Sequence, residues 1–487
     1  LKTDQQSTGT TIEGIKMFKQ RGLTMDNDTI QVHYTAALDG RRGAKIWLEG
    51  SKLDWAGAHC GSSITKVLDP INKRITIHVG SDYNASEYAF NNATIVLPKG
   101  AVSSAKRNGK PRPIIELHNK LVEQVFPVGT RLKVVFEYGR ITITEHHESA
   151  SKAKREQSFK DNLANGSITE ASMFTGGAIS TDAIHTAINS SGVNSKLQWV
   201  CEVEHKYIEA AGQNCLAIDN DTTFLIGAAE EIEREHYAQV DLLSFSMPCA
   251  GFSTAGKSKH KQSAEQHSGT ALFGVINAIH SANPAVIISE NVVEAKESPI
   301  YILLKAELER LGYKVFEQVL DRSNTGTIEQ RKRYWLVAIS EGIAPASFEL
   351  PTVEINTRTI ASILESEIDP NLWAENDYLK EKAERDAKAG KGFKRQLLNG
   401  SETSIGTIGR FYNKKRSTEP FLVRADGMER LLTPIEHARV KSIPEHLIDN
   451  LPKTTAHEIL GQSVDYLQPF KITKALLSIF IKPSFNN

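Results

Sequence analysis

From about residue 167 onward, short apolar segments alternate with stretches that read as helices, and this rhythm constrains the fold more than any other feature of the chain. The segments are Ser172-Met173-Phe174, Trp199-Val200-Cys201, Asp241 to Phe245, Val286-Ile287-Ile288 and Trp335-Leu336-Val337-Ala338-Ile339. Short uninterrupted apolar runs bounded by polar turns mark strands buried on both faces, and strands that alternate with helices predict a doubly wound α/β sheet. Ligands of such sheets bind beyond the carboxyl ends of the strands. The residues that follow each strand are therefore the first candidates for chemistry.

A chain of 487 residues is too long for one compact core, so two or three domains are expected. No apolar run is long enough to cross a membrane and no signal peptide opens the chain, which makes a cytoplasmic protein the expectation. The four cysteines, Cys60, Cys201, Cys215 and Cys249, lack CxxC spacing, which argues against a zinc site or a disulfide framework and leaves a reactive thiol open. Lys and Arg balance Asp and Glu at 58 each. The cations are clustered, however, at 106–112, 152–155, 391–395 and 414–416, an arrangement suited to meeting phosphates at several places.

Before the α/β region the texture differs. Residues 1–40 read as an extension without clear period. Within 41–148, Lys52-Leu53, Gly61 and Ile64 recur as Lys120-Leu121, Gly129 and Leu132, and each copy closes on an alternating strand, Arg74-Ile75-Thr76-Ile77 and Arg140-Ile141-Thr142-Ile143. Neither copy is large enough to bury a core alone, so the two are expected to pair. Residues 149–166 are polar and charged, a linker or lead-in helix.

Candidate site residues follow the strands. Phe174-Thr175-Gly176-Gly177-Ala178 leads into a helical stretch, where glycines let backbone approach a ligand. Glu202 and Glu204 compete for the end of the second strand, where an acid accepts from ribose hydroxyls. Met247-Pro248-Cys249-Ala250 ends the third strand and aims a cysteine outward; the loop Gly251 to Gly269 behind it suits a lid. Glu290-Asn291-Val292 ends the next strand with a carboxyl group at the same sheet edge. In Glu329-Gln330-Arg331-Lys332-Arg333, alternation sets Arg331 and Arg333 on one face, and a guanidinium fork holds a carboxylate, phosphate or carbonyl in fixed geometry.

Taken in order, Phe174-x-Gly176-Gly177, Pro248-Cys249-x-x-Phe252-Ser253, Glu290-Asn291-Val292, Arg331-x-Arg333, Arg430-Leu431-Leu432-Thr433-Pro434-x-Glu436-x-Ala438-Arg439 and Gly461-Gln462-Ser463-Val464 resemble the DNA (cytosine-5) methyltransferases. The resemblance runs from about residue 167 to the C-terminus. It implies a Rossmann-like catalytic domain at 167–342 and 428–487, interrupted by a small target-recognition region at 343–427. It also implies S-adenosylmethionine as cofactor, double-stranded DNA as substrate and base flipping to reach the cytosine. Cys249 would be the nucleophile, Glu290 would hydrogen-bond the base, and Arg333, supported by Arg331, would orient base and carboxylate. Phe174, Gly176, Gly177, Glu202 or Glu204, Pro248, Leu272 and Val464 would bind the cofactor, and Ser253, Lys394, Arg410, Lys414 and Lys415 the nucleic acid; no metal is implied.

The repeats at 41–148 resemble swapped-hairpin AbrB-like domains, which in that family dimerise to bind DNA; dimerisation through them and a nucleoid-associated location are further expectations. The chain departs from the methyltransferase pattern at Ser172, Ala178, Ala228, Met247 and Gln462, and the glutamine that precedes the two arginines is either replaced by Glu329 or displaced to Gln330. These changes fall mainly on the cofactor side and imply weaker cofactor binding. Two alternatives use the same residues: an RNA (tRNA) cytosine-5 methyltransferase, and a non-catalytic DNA-binding protein on the same fold.

Overall fold

The computed structural model describes residues 30–80, 94–107, 109–248, 261–353, 358–390 and 395–481. The chain divides into two compact units, Leu1–Ser151 and Lys152–Asn487.

The first unit is built of β1 (Gln31–Ala36), β2 (Lys45–Glu49), β3 (Ser63–Asp69), β4 (Arg74–Val79), β5 (Ile95–Ala101), β6 (Ser103–Arg107), β7 (Lys110–His118), β8 (Arg131–Glu137) and β9 (Arg140–Glu145). One sheet runs β1-β8-β9-β4-β3-β5 and a second β2-β7-β6. The unit contains two strand–helix–strand–strand passages, β2 to β4 and β7 to β9, whose helices are Ser51–Trp55 and Lys120–Val125. β4 and β9 pair antiparallel with Ile75 opposite Ile143, Thr76 opposite Thr142 and Ile77 opposite Ile141. Period-two alternation sends all four isoleucines into one fully buried cluster. Gly61 and Gly129 occupy matching turns at the same φ of +88°, a conformation that favours glycine and explains why the residue recurs.

In the second unit, helix His147–Ala164 leads into the sheet. Arg155 anchors it, with Nη2 donating to the Leu311 carbonyl at 2.7 Å and the guanidinium stacked 3.9 Å from the Tyr313 ring. The seven strands are β10 (Ser167–Met173), β11 (Asn194–Glu202), β12 (Thr223–Ile226), β13 (Leu242–Phe245), β14 (Val286–Asn291), β15 (Tyr313–Leu320) and β16 (Arg333–Ser340). Their order is β12-β11-β10-β13-β14-β16-β15. β10 to β14 are parallel, and β16 runs antiparallel to both of its neighbours. The sheet is buried on both faces, as β16 makes plain: Tyr334, Leu336 and Ala338 join one core cluster, and Trp335, Val337 and Ile339 another. The order reverses direction between β10 and β13, so the carboxyl ends of these two strands flank the switch point where open α/β sheets bind ligands.

After β16 the chain forms a small sheet of β17 (Gln396–Leu398), β18 (Pro420–Val423) and β19 (Glu429–Arg430). Its core of Ile360, Ile363, Leu398, Ile405, Ile408, Tyr412 and Leu422 is continuous with Ile328 and Val440 from the flanking segments. Among the described residues no helix is long and apolar enough to cross a membrane.

Candidate active site

Glu290 and Arg333 come from adjacent antiparallel strands, and their register explains why they meet. Glu290 lies opposite Trp335 and Asn291 opposite Tyr334, so Arg333 is carried to the end of the sheet at which β14 finishes. Arg333 Nε lies 2.9 Å from Glu290 Oε1, and the pair is mostly buried, at 14% and 13% side-chain exposure. The other carboxylate oxygen accepts from the Ser246 hydroxyl at 2.8 Å. A carboxylate gripped by a guanidinium and a hydroxyl from two neighbouring segments has a fixed orientation.

Ser246 directly follows β13 and precedes Met247 and Pro248, the residues that lead to Cys249. Asn291 holds this exit: its Nδ2 donates to the Met247 carbonyl at 3.0 Å, and Tyr301, fully buried, sits within hydrogen-bond distance of both Asn291 and Ser289. Thus the strand end carrying Glu290 also fixes the backbone two residues ahead of Cys249. Ser246 and Tyr301 were not among the sequence candidates, and Asn291 entered only as part of the Glu290-Asn291-Val292 element. Ser246 had a detectable signal, a polar residue between a buried strand and Pro248; Tyr301 had none, since it acts from helix Pro299–Arg310 across the fold. Cys249, Ser253 and Lys394 lie outside the described residues, as does the first part of the lid loop. The segment read as loop as far as Gly269 is helical from Lys261, in a helix that runs to Ala282. Leu272, Val275, Ala278, Ile279 and Ala282 bury its apolar face, a helical spacing that overrides the polar composition of its first turns.

On the cofactor side, the loop after β10 has three residues at positive φ: Phe174 at 53°, Gly176 at 56° and Ala178 at 61°. A Cβ added to Gly176 would meet nothing within 4 Å, so its backbone is open to approach. Glu202 is buried and faces this loop: Oε2 accepts from Gly176 N at 2.7 Å, and Oε1 from the backbone N–H groups of Val203 and Glu204 at 2.9 Å each. A carboxylate has about four acceptor positions; three are in use, leaving capacity for a ribose hydroxyl. Of the two competing acids, Glu202 faces the loop, whereas the Glu204 side chain is exposed and only its N–H takes part.

Phe174 packs against the cluster that contains Leu272 and Met247, an apolar wall beside the loop, and Pro248 is exposed at the strand exit. Two further candidates, Gly177 and Val464, make packing contacts. A Cβ on Gly177 would lie 2.4 Å from Ile459 Cγ2, so this glycine admits the helix Lys453–Gln462, and Val464 belongs to the core cluster of Ile168, Ile184 and Val337, not to the Phe174 wall.

Arg331 lies apart from the Glu290–Arg333 pair. Its guanidinium is buried and donates to Glu329 Oε1 and to the carbonyls of Ile408, Gly461 and Gln462, away from Glu290. Glu329, fully buried, also takes Lys441 Nζ at 2.9 Å and Ile408 N at 2.9 Å. Burial alone would raise the Glu329 carboxyl, but Lys441 and Arg331 more than offset it and hold it ionised. Gln330, by contrast, is exposed and donates to the Ser404 hydroxyl. Arg410 is half-buried, its guanidinium 5.6 Å from the Tyr207 ring and 5.5 Å from the Phe411 ring, whereas Lys414 and Lys415 are exposed.

The C-5 cytosine-specific DNA methylase family matches residues 185–478. The chain is similar to Type II methyltransferase M.NlaX of Neisseria lactamica, at 30% identity over 234 residues that cover 46% of this chain and 72% of that protein. Type II methyltransferase M1.ScrFI of Lactococcus lactis subsp. cremoris is 27% identical over 267 residues, 53% of this chain and 67% of that protein. The solved Entamoeba histolytica methyltransferase EhMeth aligns with a TM-score of 0.52 at 16% identity, across 64% of this chain and 98% of that one, and shares the fold. With the family match spanning more than half of the sequence, this chain belongs to the C-5 cytosine-specific DNA methylases, enzymes that use S-adenosylmethionine to methylate carbon 5 of cytosine in DNA.

Proposed function

We propose that Cys249 is the nucleophile and that Glu290 and Arg333, steadied by Ser246, manage the charge that its attack creates. Carbon 5 of cytosine is too weakly nucleophilic to take a methyl group directly. Addition of the Cys249 thiolate to carbon 6 makes carbon 5 enamine-like, and loss of the carbon 5 proton after methylation expels the cysteine. Glu290 hydrogen-bonds the ring nitrogen and exocyclic amine of the flipped base, with Arg333 keeping the carboxyl group in place. S-adenosylmethionine supplies the methyl group when bound, held by the Phe174–Ala178 loop and Glu202. The observation that carries this reading is the Ser246–Glu290–Arg333 cluster beside the strand that delivers Pro248-Cys249.

Arg331 acts as a positioning residue that ties the segment before β16 to Ile408 and Gly461. Residues 343–427 read the target, with the exposed Lys414 and Lys415 beside Arg416 and Phe411 on phosphates and bases. The tandem repeats of the first unit, AbrB-like in pattern, add a second DNA contact. The relatives named above are Type II methyltransferases, so methylation of a defined duplex site is the role carried to this chain.

Transfer of labelled methyl groups to duplex DNA and to tRNA tests the assignment. Incorporation into duplex DNA, lost in Cys249→Ser, is expected; incorporation into tRNA alone would replace the DNA substrate with RNA, and none into either would favour a binding protein on this fold.

A further inference from the structure

The basic stretch Lys106-Arg107-Asn108-Gly109-Lys110-Pro111-Arg112 has no part in the chemistry above, and its residues on β6 and β7 take a definite form. β6 and β7 make an antiparallel ribbon in which Ser104 lies opposite Pro113, Ala105 opposite Arg112, Lys106 opposite Pro111 and Arg107 opposite Lys110. The third strand of this sheet, β2, covers β7 only from Ile114 to His118. The ribbon therefore continues beyond it, for about 15 Å at the usual rise per residue. Ser103, Ser104, Lys106, Lys110, Pro111 and Arg112 are all exposed, so neither face is committed to a core.

Three properties indicate what it meets. Residues 94–115 contain five cations, Lys99, Lys106, Arg107, Lys110 and Arg112, and no Asp or Glu. Alternation places Lys110 and Arg112 on one face of the ribbon, while Lys106, paired with Pro111, belongs to the other. A flat anionic surface is served by cations on one face; a groove walled by two phosphate strands is served by cations on both. Finally, the outer edge of β7 is closed to further strands. The Pro113 carbonyl accepts from Gly50 N, which shows that alternate residues of β7 turn outward, and Pro111 and Pro113 bring no N–H to that edge. The element is built to stay two-stranded, and a two-stranded ribbon is what the major groove of duplex DNA admits.

We infer that the ribbon formed by β6 and the first residues of β7 is an arm that enters a groove of duplex DNA, where Lys106, Lys110 and Arg112 contact phosphates on both walls. The inference rests on the reading of the chain as a DNA methylase and adds an anchoring element outside its catalytic unit.

The test uses the full chain carrying Lys106→Ala, Lys110→Ala and Arg112→Ala together, with fluorescence anisotropy on a labelled duplex and on its single strand over a range of KCl. Loss of three phosphate contacts is expected to flatten the slope of log K against log salt by about 2.7 and to weaken duplex binding on the order of 10-fold or more. The single strand should be less affected, and the charge-preserving Lys106→Arg, Lys110→Arg, Arg112→Lys variant should bind like wild type. Methyl transfer at saturating DNA should keep its wild-type kcat. An unchanged slope, or an equal loss on single and double strands, overturns the arm while leaving the methylase reading standing. A wild-type chain that fails to methylate DNA removes that reading itself, whatever the arm does.

Discussion

Glu290 owes its orientation to residues that its own strand does not contain. Arg333 and Ser246 each hold one of its two oxygens, so the carboxyl group is fixed in one orientation without having to search for a rotamer. Glu290→Gln keeps the shape and removes the charge; kcat is expected to fall by roughly 10²- to 10⁴-fold, the usual worth of a positioned acid–base group, with little change in KM for DNA. A comparable rise in KM with kcat intact would mean that Glu290 only binds the base. A second residue-level prediction concerns Glu329, which faces Lys441 and Arg331 where none of the three reaches water. Removing one partner from a buried pair costs about 3–5 kcal/mol, whereas removing both can be nearly neutral. Urea denaturation should find Glu329→Gln strongly destabilised and Glu329→Gln/Lys441→Gln restored by more than half; a double variant no better than the single would deny the pairing. The sequence exposed Glu290, Arg333 and Glu202 because each ends or begins an apolar run. It concealed Lys441, Ser246 and Tyr301, whose contacts join distant positions, and it did not reveal that Arg331 is buried against Glu329, Ile408 and Gly461, because strand alternation reports a face and not a depth.

At the scale of elements, the loop after β10 and the helix that follows it are set by a few close approaches. His185 on helix Ile179–Asn189 meets Glu170 of β10 at 2.6 Å. Burial lowers the imidazole pKa, but the hydrogen bond and charge of Glu170 more than reverse this, so it stands above the ordinary 6.5. A raised folded-state pKa stabilises below the unfolded value and loses that contribution as pH rises through the folded one. Wild type should therefore exceed His185→Gln in stability most clearly at pH values below 6.5 and by less above the folded pKa; a gap that widens with pH in denaturation curves would contradict the ion pair. Elsewhere the helix Lys453–Gln462 approaches the backbone of the segment between β17 and β18. A Cβ on Gly461 would lie 2.3 Å from the Gly409 carbonyl oxygen and 2.7 Å from Arg410 N. Gly461→Ala should destabilise by about 1–3 kcal/mol through overpacking and, by displacing Ile408 to Arg410, raise KM for DNA more than the dissociation constant for S-adenosylmethionine; equal effects on both would place the strain elsewhere. The parallel strands were legible from their apolar runs. The start of helix Lys261–Ala282 was not, because Gly, Ser and Lys around it carry turn signals that the packing of Leu272, Val275 and Ile279 outweighs.

At the scale of the whole molecule, two compact units divide the sequence near residue 151, and the family match lies entirely in the second. In the first unit the two Ile-Thr-Ile segments were legible as alternating strands, and β4 and β9 pair with their isoleucines in one core. The departures on the cofactor side, Ala178 and Ala228 among them, leave Glu202 and the Gly176 backbone in place, which favours weakened rather than absent S-adenosylmethionine binding. The central claim is that Cys249 attacks carbon 6 under the control of Glu290 and Arg333. It is tested most directly by incubating the full chain with S-adenosylmethionine and duplex DNA in which 5-fluorocytosine replaces the target base, since the fluorine blocks the final elimination. A denaturation-resistant protein–DNA adduct, absent in Cys249→Ser and slowed in Glu290→Gln, is the predicted result; an adduct that survives Cys249→Ser, or none from wild-type protein that methylates ordinary duplex DNA, would contradict the account.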